Sequence, residues 1–292
     1  MTLDRRDFLR SAGALGAMAT AGCAPDPTTT PARTLGTGLA RGLTLLSVRE
    51  GNLDRLGAKS AKGSLDVARA ADLLQLYAPL VRRPDTIVCV GLTYRRHAEE
   101  VGAAIPAHPV LFNKFNASLN SHRGTVTLPV DLATQFDYEV ERVIVIGRPA
   151  KRVAEALSYV AGYATGNDFT ARDLQNGRSG QWMVGKALDG FAPIGPHLVT
   201  ADQVDPDNLT IECRVNGETR QSSSTSDFIV GARHMVSSIS QYLTLEPGDL
   251  IFTGTPAGVI QGMAPDRRQW LKPGDTVACS VQGLGELAFT LT

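Results

Sequence analysis

One run of ten residues constrains this chain more than any other: Asp137-Tyr138-Glu139-Val140-Glu141-Arg142-Val143-Ile144-Val145-Ile146. Its β-branched apolar residues read as a strand. Side chains two apart on a strand share a face, so Asp137, Glu139 and Glu141 are expected side by side. Three carboxylates in a row repel one another unless a cation, a lysine or open water compensates them. A hard divalent ion is the natural answer, because Mg²⁺ favours carboxylate oxygens and keeps several water positions open for a substrate. Taken alone, the pattern also fits the solvated face of an edge strand. Residues further along the chain decide between the two.

With 292 residues, 43% of them hydrophobic and 20% charged, the chain can bury a full core in one large domain with a small companion. Formal net charge is zero, and no basic block follows the N-terminus. Nucleic acid is excluded as a partner on that ground, and a small molecule is expected instead. After Cys23 come only Cys89, Cys213 and Cys279, too scattered for a disulfide framework. Cys89 and Cys279 lie in apolar strand-like runs and read as buried thiols.

Residues 1–23 carry an arginine-containing segment, Asp4-Arg5-Arg6-Asp7-Phe8-Leu9-Arg10, followed by an Ala- and Gly-rich run. This is the layout of a signal peptide, and the paired arginines resemble a twin-arginine export signal. Ala19-Thr20-Ala21 offers a cleavage site, while Ala21-Gly22-Cys23 resembles the end of a lipoprotein box, making Cys23 a candidate lipid anchor. Residues 24–34 form a Pro/Thr linker. The expectation is an exported protein, periplasmic or tethered outside the cytoplasm by a lipid.

Residues 35–83 read as a small N-terminal subdomain: a strand at Leu43–Val48, then a helix capped by Ser64, carrying Leu65, Leu73, Leu76 and Tyr77, and ended by Pro79. Residues 84–292 change texture to short strands and tight turns. A short helix is expected at Tyr94–Glu100 and a helix near Val153–Val160, after which Gly162–Asp168 is extended and leads into Thr170–Gln175, with Arg172 and Gln175 one helical turn beyond Asp168. Asn216-Gly217 predicts a type I′ hairpin between Leu209–Val215 and Thr219–Ser222. Asp227–Leu243 is the strongest helix, with Ser226 as its cap. Leu245-Glu246-Pro247-Gly248-Asp249 is echoed by Leu271-Lys272-Pro273-Gly274-Asp275, each a Pro-Gly turn before a strand. Strands dominate without regular strand–helix alternation, which points to an α+β domain on a curled, mixed sheet.

Three more stretches gather reactive side chains: Asn167 to Gln175, Gly185 to Asp189, and the Gly-rich Thr253 to Val259. Set out in order, G-L-x-Y-x-x-H-x-x-E (91–100), D-Y-E-x-E (137–141), G-Y-x-x-x-N-D-x-T-A-R-D-L-Q (162–175), G-K-x-x-D (185–189), P-I-G-P (193–196), V-N-G-E-x-R-Q (215–221) and L-x-P-G-D-L-I-x-T-G-T-P-x-G-V (245–259) resemble the fumarylacetoacetate hydrolase family. The resemblance spans about Val88 to the C-terminus, and implies that family's strand-rich mixed β-sheet roll.

The resemblance implies a metal site of Glu139, Glu141 and Asp168 holding Mg²⁺ or Mn²⁺, with Asp137 behind it. It implies catalytic roles for His97 and Glu100, on a short helix over the substrate, and for Lys186. Arg172, Gln175, Thr255 and Tyr94 fall at substrate-holding positions, and a homodimer is implied. Thr93 and Phe115 depart from the pattern, where Asn and Pro are usual. The implied substrate is a small 2-oxo or β-diketo acid of acylpyruvate type, cleaved hydrolytically at a C–C bond through a metal-bound enolate. Oxaloacetate-type decarboxylation, or hydration or isomerisation of a 2-hydroxydienoate, would use the same site. A non-catalytic exported binder of 2-oxo acids is a further alternative, disfavoured by the complete residue set. The physical chemistry is consistent: three carboxylates leave about three of six octahedral positions open, and a Lewis acid stabilises an enolate. His97 and Glu100, three apart, share a helix face, and Lys186 beside a cation is expected to have a lowered pKa. His108, His122, His197 and His234 are given no role.

Overall fold

The run Val140–Ile146 is buried at every position, so it must lie inside a sheet that is covered on both faces. The computed structural model describes residues 44–50, 53–60, 63–66, 84–177 and 180–292. The expected signal, the linker, Cys23 and the segment carrying Leu73, Leu76, Tyr77 and Pro79 lie outside the described residues.

In chain order the first strands are β1 (Thr44–Glu50), β2 (Leu53–Ser60), β3 (Gly63–Asp66), β4 (Ile87–Gly91), β5 (Val110–Lys114), β6 (Leu119–Ser121), β7 (Thr125–Val126), β8 (Phe136–Asp137) and β9 (Val140–Ile146). They are followed by β10 (Val160–Asn167), β11 (Thr170–Ala171), β12 (Ala192–Ile194), β13 (His197–Thr200), β14 (Thr210–Val215), β15 (Glu218–Ser224), β16 (Leu250–Phe252), β17 (Thr276–Val281) and β18 (Gly285–Leu291). The described helices are α1 (Arg95–Glu100), α2 (Arg172–Gly177), α3 (Met183–Lys186) and α4 (Ala232–Tyr242).

The large sheet runs β3-β2-β1-β13-β10-β9-β16-β4-β5, with β12 and β6 branching from β10. It is mixed, since β16 pairs antiparallel with β9 but parallel with β4. A second sheet, β15-β14-β17-β18-β7, covers one face of β9 and β10. Between them Val140, Ile144, Cys213, Val215, Val277 and Cys279 join one apolar cluster. The fold is therefore strand-rich α+β, as the turn-dense sequence indicates. Cys89, Cys213 and Cys279 are buried free thiols.

Local turn chemistry is realised closely. Asn216 and Gly217 take φ of 52° and 84°, the left-handed pair that a type I′ hairpin requires. Both Pro-Gly echoes form the same turn, with φ of 93° at Gly248 and 92° at Gly274. In each, the following aspartate reaches back: Asp249 accepts from the Glu246 amide at 2.7 Å and Asp275 from the Lys272 amide at 2.9 Å.

Three expectations are corrected. Ser64 and Leu65 do not start a helix; they lie in β3, paired with Lys59 and Ala58 of β2, so sheet pairing outweighs a serine's capping preference. The helix expected near Val153–Val160 is only a 3₁₀ turn at Ala156–Tyr159. The helix expected from Asp227 begins at Ala232, after Gly231 as cap. Tertiary bonds hold the intervening residues elsewhere: Asp227 pairs with Arg96 at 3.2 Å and the Ile229 amide bonds the Thr93 carbonyl at 2.7 Å. From Ala232 the helix buries Ala232, Met235, Val236, Ile239 and Ser240 on one face, an ordinary amphipathic pattern.

Candidate active site

The ten-residue run that opens the sequence argument is not one strand. It breaks at Tyr138-Glu139, between β8 and β9, because side chains there take the backbone amides. Asp137 Oδ1 accepts from Tyr138 N at 3.0 Å and Ile260 N at 2.9 Å. Gln221 Oε1 accepts from Val140 N at 3.0 Å. The break turns Asp137 away from its two neighbours, onto Arg172. Glu139 and Glu141 instead meet Asp168, delivered from the end of β10, where the Asp168 amide donates to the Glu139 carbonyl at 2.9 Å. Each of the three residues offers a carboxylate oxygen, and these atoms lie within 4.8 Å of one another.

Three buried cations surround these acids. Lys186 Nζ lies 2.6 Å from Glu139 Oε2 and 2.8 Å from Asp168 Oδ2. Arg172 spends its guanidinium inside the protein: Nε on Asp137 Oδ2 at 2.9 Å, Nη1 on Gln175 Oε1 at 3.0 Å and Nη2 on Glu139 Oε1 at 2.6 Å. Lys114 Nζ lies 2.7 Å from Asp168 Oδ1. Four buried acids, counting Asp137, thus face three buried cations, and the shortfall falls on Glu141. Among the described residues no lysine or arginine pairs with it; its Oε2 accepts the Gly254 amide at 2.8 Å.

The electrostatics follow from these contacts. Burial works against an ionised Glu139, but Lys186 and Arg172 outweigh it and hold the carboxyl down at about 2. For Glu141, burial, then Asp168 and Glu139, outweigh Lys186 and the Gly254 amide and push the carboxyl well above the usual carboxylate range. Burial also opposes the Lys186 ammonium, yet Asp168 and Glu139 raise its pKa. The lowering expected for Lys186 belongs to the site with a cation bound; with protein groups alone, two carboxylates within 2.8 Å raise it.

A cavity of about 210 Å³ opens above the acids. Its walls include His97, Arg172, Gln175, Thr255 and Lys186, so most residues singled out from sequence converge on one space. His97 is 8% exposed; its Nδ1 lies 2.9 Å from Glu100 Oε1. Glu100 also accepts the Gly258 amide, at 2.9 and 3.1 Å to its two oxygens. The Thr255 hydroxyl donates to the Val140 carbonyl at 2.9 Å and accepts from Gln221 Nε2 at 2.8 Å.

Two predicted residues stay off the cavity wall: Glu100, which stands behind His97, and Tyr94. Tyr94 is fully buried, bridged to Phe228 with ring centroids 4.2 Å apart. Four residues with a part in the site were given no role from sequence. Phe112 and Trp182 form an edge-to-face pair on the cavity wall, centroids 5.4 Å apart. Gln221 ties Thr255 to Val140 and accounts for the last position of the V-N-G-E-x-R-Q motif. Lys114 is the fourth; a lysine closing the otherwise apolar run Val110–Phe112 was the available signal.

The donor set suits a hard divalent cation: three carboxylates, all oxygen, one of them buried without a compensating charge. Mg²⁺ or Mn²⁺ at Glu139, Glu141 and Asp168 would answer that shortfall. The other four-sided demand, a place for substrate, is met by the cavity above.

Comparison with known proteins agrees with this geometry. A rat protein named oxaloacetate tautomerase Fahd2a, mitochondrial, is 40% identical over 234 residues, covering 76% of this chain and 74% of the relative. Oxaloacetate tautomerase YisK of Bacillus subtilis is 40% identical over 220 residues, covering 74% and 72%. Among solved structures, fumarylacetoacetate hydrolase from Exiguobacterium antarcticum superposes with a TM-score of 0.75 at 33% identity, covering 86% of this chain and 99% of that one. Fumarylpyruvate hydrolase from Pseudomonas aeruginosa, in complex with Mn²⁺ and pyruvate, does so at 0.65 and 33%, covering 74% and 92%.

The relatives overturn one expectation. Rat, bovine and human relatives are mitochondrial by name, so export by a twin-arginine route, with a periplasmic or lipid-anchored destination, does not stand. Arginines ahead of small and apolar residues are common to several kinds of targeting segment, and their pattern alone does not single out export. Residues 86–292 match the family described as fumarylacetoacetate (FAA) hydrolase C-terminal, and with the fold and the acidic triad agreeing, this chain is a member of the fumarylacetoacetate hydrolase family.

Proposed function

We propose that this protein is a divalent-metal-dependent enzyme acting on a small 2-oxo acid through its enolate, and that its reaction is the interconversion of the enol and keto forms of oxaloacetate. The observation that carries this reading is His97, bonded to Glu100, on the wall of a cavity that Glu139, Glu141 and Asp168 also line. Glu139, Glu141 and Asp168 would hold Mg²⁺ or Mn²⁺, which would supply Lewis-acid stabilisation of the enolate charge. The rest is proton traffic between an oxygen and the neighbouring carbon. Glu100 accepts from His97 Nδ1–H, which leaves Nε2 unprotonated and able to take or return the proton at carbon. In ketonisation the enol hydroxyl proton passes to Nε2 and is returned to the neighbouring carbon, while Lys186, held by Glu139 and Asp168, donates a hydrogen bond to the oxygen left anionic.

Size and charge support the substrate class. A cavity of about 210 Å³ is below the usual range for drug-sized ligands and suits a four-carbon acid. Adding a divalent ion to four acids and three cations leaves a net positive charge that favours an anion. Relatives from rat and Bacillus subtilis are named oxaloacetate tautomerases. Hydrolytic cleavage of an acylpyruvate is the second reading, because the same histidine can take a proton from water, and a fumarylpyruvate hydrolase is among the similar structures.

The test follows loss of ultraviolet absorbance from freshly dissolved enol-oxaloacetate, with Mn²⁺ and with chelator, for the wild type, His97→Ala and Glu139→Ala. Pyruvate release from acetylpyruvate is assayed in parallel. Ketonisation accelerated by the wild type and lost in both variants supports the tautomerase. Pyruvate release that needs both residues, with no effect on enol-oxaloacetate, transfers the assignment to the hydrolase. Carbon dioxide release from oxaloacetate transfers it to a decarboxylase.

A further inference from the structure

Lys114 closes β5, and its ammonium is buried where four acceptors converge. Nζ lies 2.7 Å from Asp168 Oδ1, 2.9 Å from the Phe191 carbonyl and 3.3 Å from the Phe169 carbonyl, and it also donates to the Lys186 carbonyl. An ammonium has three N–H donors, so these contacts use all of them and none is free for a substrate. Two of the four acceptors belong to the site itself. Asp168 takes Lys114 on Oδ1 and Lys186 on Oδ2. The Lys186 carbonyl is bound by Lys114 while its ammonium is bound by Asp168. The three residues therefore form a closed ring that restrains both the main chain and the side chain of Lys186.

Glu139 also takes the Lys186 ammonium, at 2.6 Å, but Lys114 is what joins the Lys186 main chain to Asp168. Lys186 ends α3, a helix of four residues, and one turn has no rigidity of its own. Its position must come from outside. The Phe112 ring, 5.3 Å from Lys186 Nζ at its centroid, bounds the ammonium on one side but cannot direct it. Without Lys114, Asp168 Oδ1 would be a buried carboxylate oxygen with no cation beside it among the described residues.

We propose that Lys114 is a positioning residue: through Asp168 and the Lys186 carbonyl it holds the Lys186 ammonium and the Asp168 carboxylate in the geometry the site uses. Lys114 touches no substrate. The kinetic part of this inference rests on the enolate reading above, whereas the metal-binding part does not.

The experiment is a double-mutant cycle on the full chain. Lys114→Met removes the donors while keeping the length of the stem, and Lys114→Arg keeps the charge; each is made alone and with Lys186→Met. Three quantities are read: the thermal melt, Mn²⁺ affinity by electron paramagnetic resonance, and kcat and KM for ketonisation of enol-oxaloacetate. Coupled residues give non-additive effects, so we expect Lys114→Met to lower kcat about 30-fold alone but by less than about 3-fold once Lys186 is already Met. KM should move less than kcat. Mn²⁺ should bind about 10-fold more weakly, although loss of a positive charge beside a cation site would by charge alone tighten it. Multiplicative losses in kcat, tighter Mn²⁺ binding, or failure of both Lys114 variants to melt cooperatively would each overturn the proposal. A wild type that binds Mn²⁺ yet turns over neither oxaloacetate nor acetylpyruvate defeats the enolate reading while the Mn²⁺ comparison still decides on Lys114. A wild type that binds no Mn²⁺ defeats both.

Discussion

His97 and Glu100, three residues apart on α1, are joined by a 2.9 Å hydrogen bond, and the same Glu100 carboxylate accepts the Gly258 amide. One side chain thus orients the imidazole and anchors α1 to the Gly-rich loop after β16. The histidine's tautomer and the attachment of α1 to that loop therefore depend on a single carboxylate.

Replacing Glu100 by alanine should lower activity on enol-oxaloacetate by about 100-fold, the low end of what a positioned acid–base group contributes. Glu100→Gln keeps an acceptor for Nδ1 and for Gly258, and should lose markedly less. Initial rates with saturating Mn²⁺ decide the matter: an alanine variant at the wild-type rate would show the pair to be idle.

Glu141→Gln should have opposite effects on the protein without and with metal. Burial and two neighbouring carboxylates make ionised Glu141 unfavourable, so the neutral amide should raise the melting temperature in chelator, by roughly 2–4 °C for each kcal/mol relieved. The wild type at a hundredfold excess of Mn²⁺ over its dissociation constant should gain about 2.7 kcal/mol, and Glu141→Gln should gain little. Melting curves in chelator and in Mn²⁺ check both halves.

Gly185→Ala should displace α3 and Lys186 together. A Cβ at Gly185 would sit 2.5 Å from the Ala171 carbonyl oxygen and 2.5 Å from the Gln175 amide nitrogen, and backbone cannot yield as a flexible side chain would. Overpacking of this kind costs about 1–3 kcal/mol, and activity should fall further than the melting temperature suggests. Gly177→Ala, with nothing within 4 Å of the new atom, is the matched control. Equal activities in the two variants would contradict the account.

His122 supplies a pH dependence away from the acidic site. Burial, then Arg123 and His197, hold its pKa below the ordinary value, and its Nδ1 accepts the Ala288 amide at 3.1 Å. The unfolded ring gains a proton near pH 6.5 while the folded ring stays neutral. Stability from this residue is therefore present above about pH 6.5 and lost as pH falls through that value, with no further loss below the folded pKa. The ring is half-exposed, so screening limits the effect to a fraction of the ~2–4 °C that one kcal/mol represents. In chelator, the drop in melting temperature from about pH 7.5 to about pH 5.5 should be smaller in His122→Gln than in wild type; an unchanged drop would place the dependence elsewhere.

Most of the fold was legible because it depends on neighbours in the chain. Asn216-Gly217, the two Pro-Gly-Asp turns and the buried run Val140–Ile146 behave as their residues dictate, since positive φ and two-sided burial are properties of a few adjacent positions. The helix expected before Ala232 is displaced by distant groups, Arg96 and Thr93, whereas at Gly63–Asp66 hairpin pairing with the adjacent β2 outweighs a serine's capping preference.

The sequence by itself determined the chemistry available: three carboxylates for a hard cation, a histidine and glutamate one turn apart, and a lysine in a small-residue setting. Tertiary structure decided who meets whom. Asp137 shares an alternating pattern with Glu139 and Glu141, yet side-chain bonds to the backbone at 138–140 break the strand and give Asp137 to Arg172. Arg172 and Thr255 line the cavity with their polar atoms already engaged by protein, and Tyr94 packs on Phe228 instead. Lys114, distant in sequence from Asp168 and Lys186, meets both only because β5, the end of β10 and α3 close around one buried ammonium. Spacing along a chain reports which side chains can share a face; the pairing of buried charges is settled where water is excluded, by whichever partners the whole fold brings within reach.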